Sequence, residues 1–128
     1  MAQAKKESAK KFLNRTHMII GYAKEVVSQH KVYTGDLAKA CTHQKLAREL
    51  FKEGKFKGAV YHSHRARVLA FEAIKANKSR PKPEMQLTEA EQEMVKDIPI
   101  AAQLDAEVTV QKDYTDVEAA SEREDELK

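Results

Sequence analysis

Residues 37–77 read LAKACTHQKLARELFKEGKFKGAVYHSHRARVLAFEAIKAN, and their spacing decides the fold class. Before Gly54, the residues Leu37, Ala40, His43, Gln44, Ala47, Leu50 and Phe51 recur at steps of three and four, the period of one helix face. After it, Ala59, Ser63, Ala66, Ala70 and Ala73 make a narrow seam of small side chains on a helix running from Phe56 to about Asn77. Gly54 can adopt the left-handed conformation that ends a helix, so the two segments are expected to form an antiparallel hairpin closely packed along the seam. Val60, Phe71 and Ile74 flank the seam on one side and Leu69 on the other, while Tyr61 and Val68 point nearly opposite. Apolar on several sides, this helix is expected to be central or to carry an interface.

Upstream, Phe12, Thr16, Ile19, Ala23, Val26, Val27 and His30 share one face of a helix expected over about Ser8–His30. Thr34 or Asp36 is placed to cap the next helix, which should reach about Glu53. Downstream, Pro81 and Pro83 lack amide donors and break the pattern. Thr88 and Glu91 have the spacing of a capping box for a short helix ending before Pro99, and Ile98, Ile100, Ala101 and Leu104 offer a docking cluster. The expected fold is all-α: a three- or four-helix bundle with a Pro-containing linker and an extended acidic C-terminal tail. Its parts are a basic bundle over residues 1–78, a linker over 79–87, short docking helices over 88–104 and an acidic extended or disordered tail over 105–128. That last stretch has little apolar surface to offset the entropy of ordering.

The composition agrees. With 41% apolar residues, 34% charged, 6% aromatic, four Gly and three Pro in 128 residues, the chain resembles helical bundles rather than turn-rich β proteins. The longest apolar run near the start, Met18-Ile19-Ile20, is too short for a signal-peptide core or a membrane span. A cytoplasmic location is expected. The early cations Lys5, Lys6, Lys10, Lys11 and Arg15, interrupted by Glu7, leave organellar import as the alternative.

Charge is the strongest functional signal. Residues 1–82 hold 19 basic and 6 acidic side chains, net +13, whereas residues 83–128 hold 4 and 14, net −10. Such asymmetry points to a charged partner or to the tail folding back on the body. Lys45, Arg48, Lys52 and Lys55 follow helical steps, and Arg65, Lys75 and Lys78 continue the stripe, a surface able to meet phosphates or to remain simply solvated. With Tyr22, Tyr33 and Tyr61 the only stacking candidates, sequence-specific RNA reading is not indicated.

Catalytic and metal chemistry find little support. Phosphate-loop, dinucleotide and zinc-hydrolase motifs are absent, so no catalytic residue, metal or cofactor is expected. Cys41 is the only cysteine, lies on an inner helix face and has no local base. His43 and His62 project inward, but counting from Gly54 sets them about one turn out of register, nearer Ala66 and Ala47 respectively. Both are read as hydrogen-bonded core residues rather than ligands.

Within about residues 38–77, Leu46, Ala47, Gly54, Phe56, Ala59 and Ala66 fall at the spacing of a tetratricopeptide-repeat hairpin, which this stretch resembles as a single unit. His43 stands where that family favours a large aromatic, and no Pro follows the second helix at the usual place. The segment ARELFKEGKFKGAV, residues 47–60, also resembles the helical hairpin of HEPN domains. Some HEPN proteins are ribonucleases that depend on an Arg followed after several residues by His; Arg65 and Arg67 lack that His here.

The expected function is therefore non-enzymatic: a helical interaction or assembly protein docking on a larger complex through its body, as a structural component, with a C-terminal strap anchored by Val108, Val110, Tyr114 and Val117. The Val108-Thr109-Val110 alternation can lie extended or add an edge strand to a foreign sheet. The alternatives are an accessory nucleic-acid-binding protein using Lys45, Arg48, Lys52, Lys55 and Arg65, and an HEPN-like ribonuclease. A protein partner is expected, with nucleic acid and self-association as further options.

Overall fold

The computed structural model describes residues 2–128. Three long helices pack together: α1 (Ala2–His30), α2 (Asp36–Lys52) and α3 (Phe56–Ala76). A 3₁₀ turn at Pro83–Met85 and three short helices follow, α4 (Glu89–Met94), α5 (Ala101–Asp105) and α6 (Asp116–Ser121). Among the described residues there is no strand, and no helix is long and apolar enough to cross a membrane.

α1 starts earlier than its apolar face suggests, because Ala2 to Glu7 are good helix formers needing no buried face. Its predicted inner residues from Phe12 to Val27 are buried, but His30 is exposed where the helix ends. Gly54 ends the α2 region with φ 79°, and every residue of the small seam on α3 is buried. Two non-glycine residues also adopt the left-handed conformation, Lys31 (φ 61°) and Lys78 (φ 60°), just beyond α1 and α3. There they stop helix C-termini, where a cation suits the helix dipole.

The bundle interior has three levels. One apolar cluster joins Ile19, Ala23 and Val27 of α1 to Leu37 and Ala40 of α2 and Leu69 and Ile74 of α3. At the other end, Phe12 and Leu13 meet Ala47, Phe51, Ala59 and Val60. In sequence between these sets, each long helix contributes buried polar residues: Thr16, then His43 and Gln44, then His62, Ser63 and Arg67.

Arg67 is the centre of this polar belt. It is 1% exposed, with its guanidinium 4.1 Å over the Phe12 ring. Nε donates to Thr16 Oγ1 at 3.1 Å, Nη2 donates to the Phe12 carbonyl at 3.1 Å, and Nη1 donates to Glu91 Oε1 at 2.9 Å. Glu91 is the predicted capping-box residue of α4; it also accepts from the Thr88 amide and from Arg15. Burial raises the Glu91 pKa, but bonds from Arg67 and Arg15 outweigh it and hold the carboxyl below its usual range. One glutamate thus starts α4 and fastens it over α1 and α3, with Val95 and Met94 joining the apolar cluster around Phe12 and Phe51.

The final segment differs from the expected extended or disordered tail. α6 packs on α1 and α2, and Asp116 is buried. The Asp116 carboxylate accepts from Gly35 N at 2.8 Å and Ala38 N at 2.9 Å while Thr34 Oγ1 accepts from Asp36 N at 3.2 Å, so the start of α2 is capped by the expected Thr34 together with a carboxylate from α6. Near the end, Asn14 pairs with the Leu127 backbone through both amide atoms, at 2.8 and 2.7 Å. Ordering is achieved by polar anchors the apolar count does not register. Within the docking cluster Leu104 is buried, but Ile100 is 73% exposed, since one short turn cannot aim all four residues inward.

Replacing Arg67 with Met should lower unfolding free energy by about 3 kcal/mol, because it takes from the buried Glu91 carboxylate one of its two arginine partners; urea denaturation near neutral pH measures this. Lys78→Gly should instead stabilise by about 1 kcal/mol by relieving the left-handed conformation.

Candidate functional site at the joint between body and strap

His43 on α2 and His62 on α3 occupy the level between the two apolar clusters, and both are 1% exposed. Their Nδ1 atoms are 3.0 Å apart, with ring centroids 5.2 Å apart and planes inclined by 22°. This corrects the register count, which placed them a turn apart. Counting backbone levels ignores the reach of two imidazoles across a small-residue seam. Each ring turns its other nitrogen to a carboxylate: His43 Nε2 lies 2.9 Å from Asp105 Oδ1, and His62 Nε2 lies 2.7 Å from Glu107 Oε1. Arg65 donates to both Asp105 oxygens at 2.9 Å, a bidentate pair.

The environment opposes a full charge on His43. Burial, reinforced by neighbouring His62 and Arg65, outweighs the Asp105 hydrogen bond and pushes its pKa down to about 4. Arg65 holds the Asp105 carboxyl below its usual range. No group of three or more His, Cys, Asp or Glu suited to a metal occurs among the described residues.

The basic stripe meets the acidic segment residue by residue. Lys45 pairs with Glu122 at 3.2 Å, Arg48 with Glu124 at 3.4 Å and Arg65 with Asp105, while Lys24 donates to the Glu122 carbonyl at 2.9 Å. Lys55 pairs locally with Glu53 at 3.2 Å, and Lys52 is exposed. The five candidate cations are therefore not one open surface. Of the tail anchors, Val110 and Tyr114 pack against the cluster around Ile19, Leu37 and Leu69 and Val108 is half-buried, whereas Val117 is 54% exposed, on the outer side of α6. Val108 to Val110 belongs to no strand here.

An open cleft of about 410 Å³ runs between α1, α2 and this segment, lined in part by Gly21, Lys24, Cys41, Gln44, Lys45 and Glu122. Cys41 is buried, and desolvation pushes its thiol up to about 11 despite nearby Lys24. Tyr114 is raised by burial and by its hydrogen bond to Glu122. These are the opposite of the conditions that activate a nucleophile.

Sequence reasoning missed Arg67 and the two-histidine contact. A signal for Arg67 was present: it stands seven residues from both Val60 and Ile74, each buried, so a charge occupied an apolar register position. Nothing local in the sequence pairs Asp105 with His43 or Asp116 with the α2 amides, because those bonds span 62 and 78 residues. Comparison with protein-family models, curated proteins and solved structures returns no match, so the functional reading rests on these residues.

Two outcomes follow from this geometry. Cys41 should resist alkylation at about pH 8 in the folded chain and react on denaturation, as followed by intact mass. Stability should fall as pH drops from 6.5 through about 4, because the unfolded chain takes a proton on His43 that the folded chain refuses. Urea midpoints across that range measure it, and His43→Gln should flatten the trend.

Proposed function

We propose that this chain is a small, non-enzymatic helical interaction protein that docks on a larger complex through the basic face of α2, with residues 106–128 as a strap over that face. The observation that carries the reading is the match of Lys45 to Glu122 and Arg48 to Glu124, beside the Lys24 bond to the Glu122 carbonyl. A face that accepts an acidic segment of its own chain suits an acidic, partly helical segment of a partner, or the strap of a second copy. Ion pairs near the surface contribute only about 0–1 kcal/mol each, so these two pairs exchange at low cost. A structural role in a cytoplasmic assembly is the corresponding cellular reading.

Nucleic acid is the second reading, favoured by exposed Lys52, Lys57, Lys5 and Lys6 and weakened by the acidic partners already on Lys45, Arg48 and Arg65. The hairpin's resemblance to tetratricopeptide and HEPN units belongs to the α2–α3 pair. RNA cleavage is not part of the proposal, since Arg65 is committed to Asp105 and Arg67 is buried on Glu91.

Deleting the acidic third would also remove Glu91, so the test must be gentler. A photo-crosslinking residue in place of Lys52, introduced in the source cells, should trap one protein at defined stoichiometry. Adding Glu122→Gln and Glu124→Gln should raise the yield about fivefold, the loss of two pairs near the surface. No adduct would sink the docking reading, and an adduct with nucleic acid alone would replace it with the second.

A further inference from the structure

We propose that His43 and His62 hold one shared proton between their Nδ1 atoms near neutral pH, and that a second proton opens this joint and frees residues 106–128 from the body. Hydrogen-bond counting carries the first half. The two rings have four nitrogens and make three contacts: Nε2 of His43 to Asp105, Nε2 of His62 to Glu107, and Nδ1 to Nδ1. A carboxylate accepts, so both Nε2 atoms must carry hydrogen, and the central contact needs one more. If both rings were neutral, either two lone pairs would face each other at 3.0 Å or a bare Nε2 would face a carboxylate. If both were charged, two N–H groups would collide. One neutral ring and one imidazolium satisfy every bond.

The second proton, taken from solvent, removes that solution. Two cationic rings would then stand 5.2 Å apart between centroids, each 1% exposed and poorly screened by water. The charged groups facing them are Arg65 from α3, which adds repulsion, and Asp105 and Glu107 at and beyond the end of α5. Asp105 already serves Arg65 with both oxygens, so it has little left to offer a second cation. His64 lies elsewhere, tilted against Phe12.

Parting the rings moves the backbone that carries Asp105 and Glu107, which is where the strap begins. His43 resists its proton until about pH 4, while the Asp105 and Glu122 carboxyls are held below their ordinary values. Opening of the joint rests on the docking reading for its purpose, since a freed strap uncovers the α2 face. Its readout is internal to the chain, so failure here would leave the Lys52 crosslink standing, and failure of the crosslink would leave the joint standing.

Cys41 reports the opening, because it lies beneath Tyr114 of the strap region and is the only cysteine. Its labelling by 4,4′-dithiodipyridine, which reacts in acid, is normalised to the denatured chain. The rate should rise about tenfold or more from about pH 7 to about pH 4, with the helical circular dichroism of α1–α3 retained. His43→Gln/His62→Gln, whose amides can still donate to Asp105 and Glu107, should abolish the rise. An unchanged rate in the native chain, or the same rise in the double variant, overturns the latch. Should the variant fail to fold, long-range proton–nitrogen spectra of the native chain near neutral pH decide: three ring N–H groups on four nitrogens support the proposal, and two refute it.

Discussion

A guanidinium in the middle of a helical bundle has to be neutralised, and most of this fold can be understood from how Arg67 meets that demand. A buried arginine left without a carboxylate would be strongly destabilising. Thr16 and the Phe12 carbonyl supply acceptors from α1, but neither supplies charge. Glu91 does, and it arrives from beyond the Pro81 and Pro83 linker. The basic body is consequently incomplete without the acidic third, and the net charges of the two halves are the large-scale trace of local pairings.

These pairings differ in depth. Glu91 is buried and bonded to two arginines, whereas Asp105 and Glu107 close a histidine pair from partly exposed positions. Glu122 and Glu124 meet Lys45 and Arg48 near the surface. Exposed charge pairs contribute little and buried ones are costly to break, so the ion pairs weaken from Glu91 to Glu124, while buried Asp116 and the Asn14–Leu127 bonds hold the segment between and beyond them. A segment fastened firmly at Glu91 and farther along by a few polar anchors and near-surface ion pairs is suited to exchange with a partner while the core persists. That gradient is the physical basis of the docking proposal.

The long helices were legible because their information is periodic and local. The step of three and four, Gly54 between two such patterns, and Thr88 with Glu91 lead to α2, α3 and the start of α4. Burial of the alanine seam follows from the same period. What escaped was long-range and polar. Asp116 reads in isolation as part of a disordered acidic run, yet it caps α2. Asn14 reads as an ordinary surface amide, yet it holds the backbone of Leu127. Val117 reads as an anchor because it is apolar, but the capping geometry of Asp116 turns the other side of α6 inward and buries Ala119. The site was legible as charge and illegible as pairing, since charge sums over a sequence whereas pairing depends on the fold.

The acidic third completes the body rather than trailing from it. Urea unfolding of a chain ending at Leu87, set beside the whole chain at neutral pH, tests this most directly. Loss of the cooperative transition, or its collapse to much lower urea, is the predicted result, since truncation strands Arg67 and removes the Asp116 carboxylate from the α2 N-terminus. A cooperative transition at the same midpoint would contradict the account, because the three long helices would then be a finished domain and Glu91 an ornament on it.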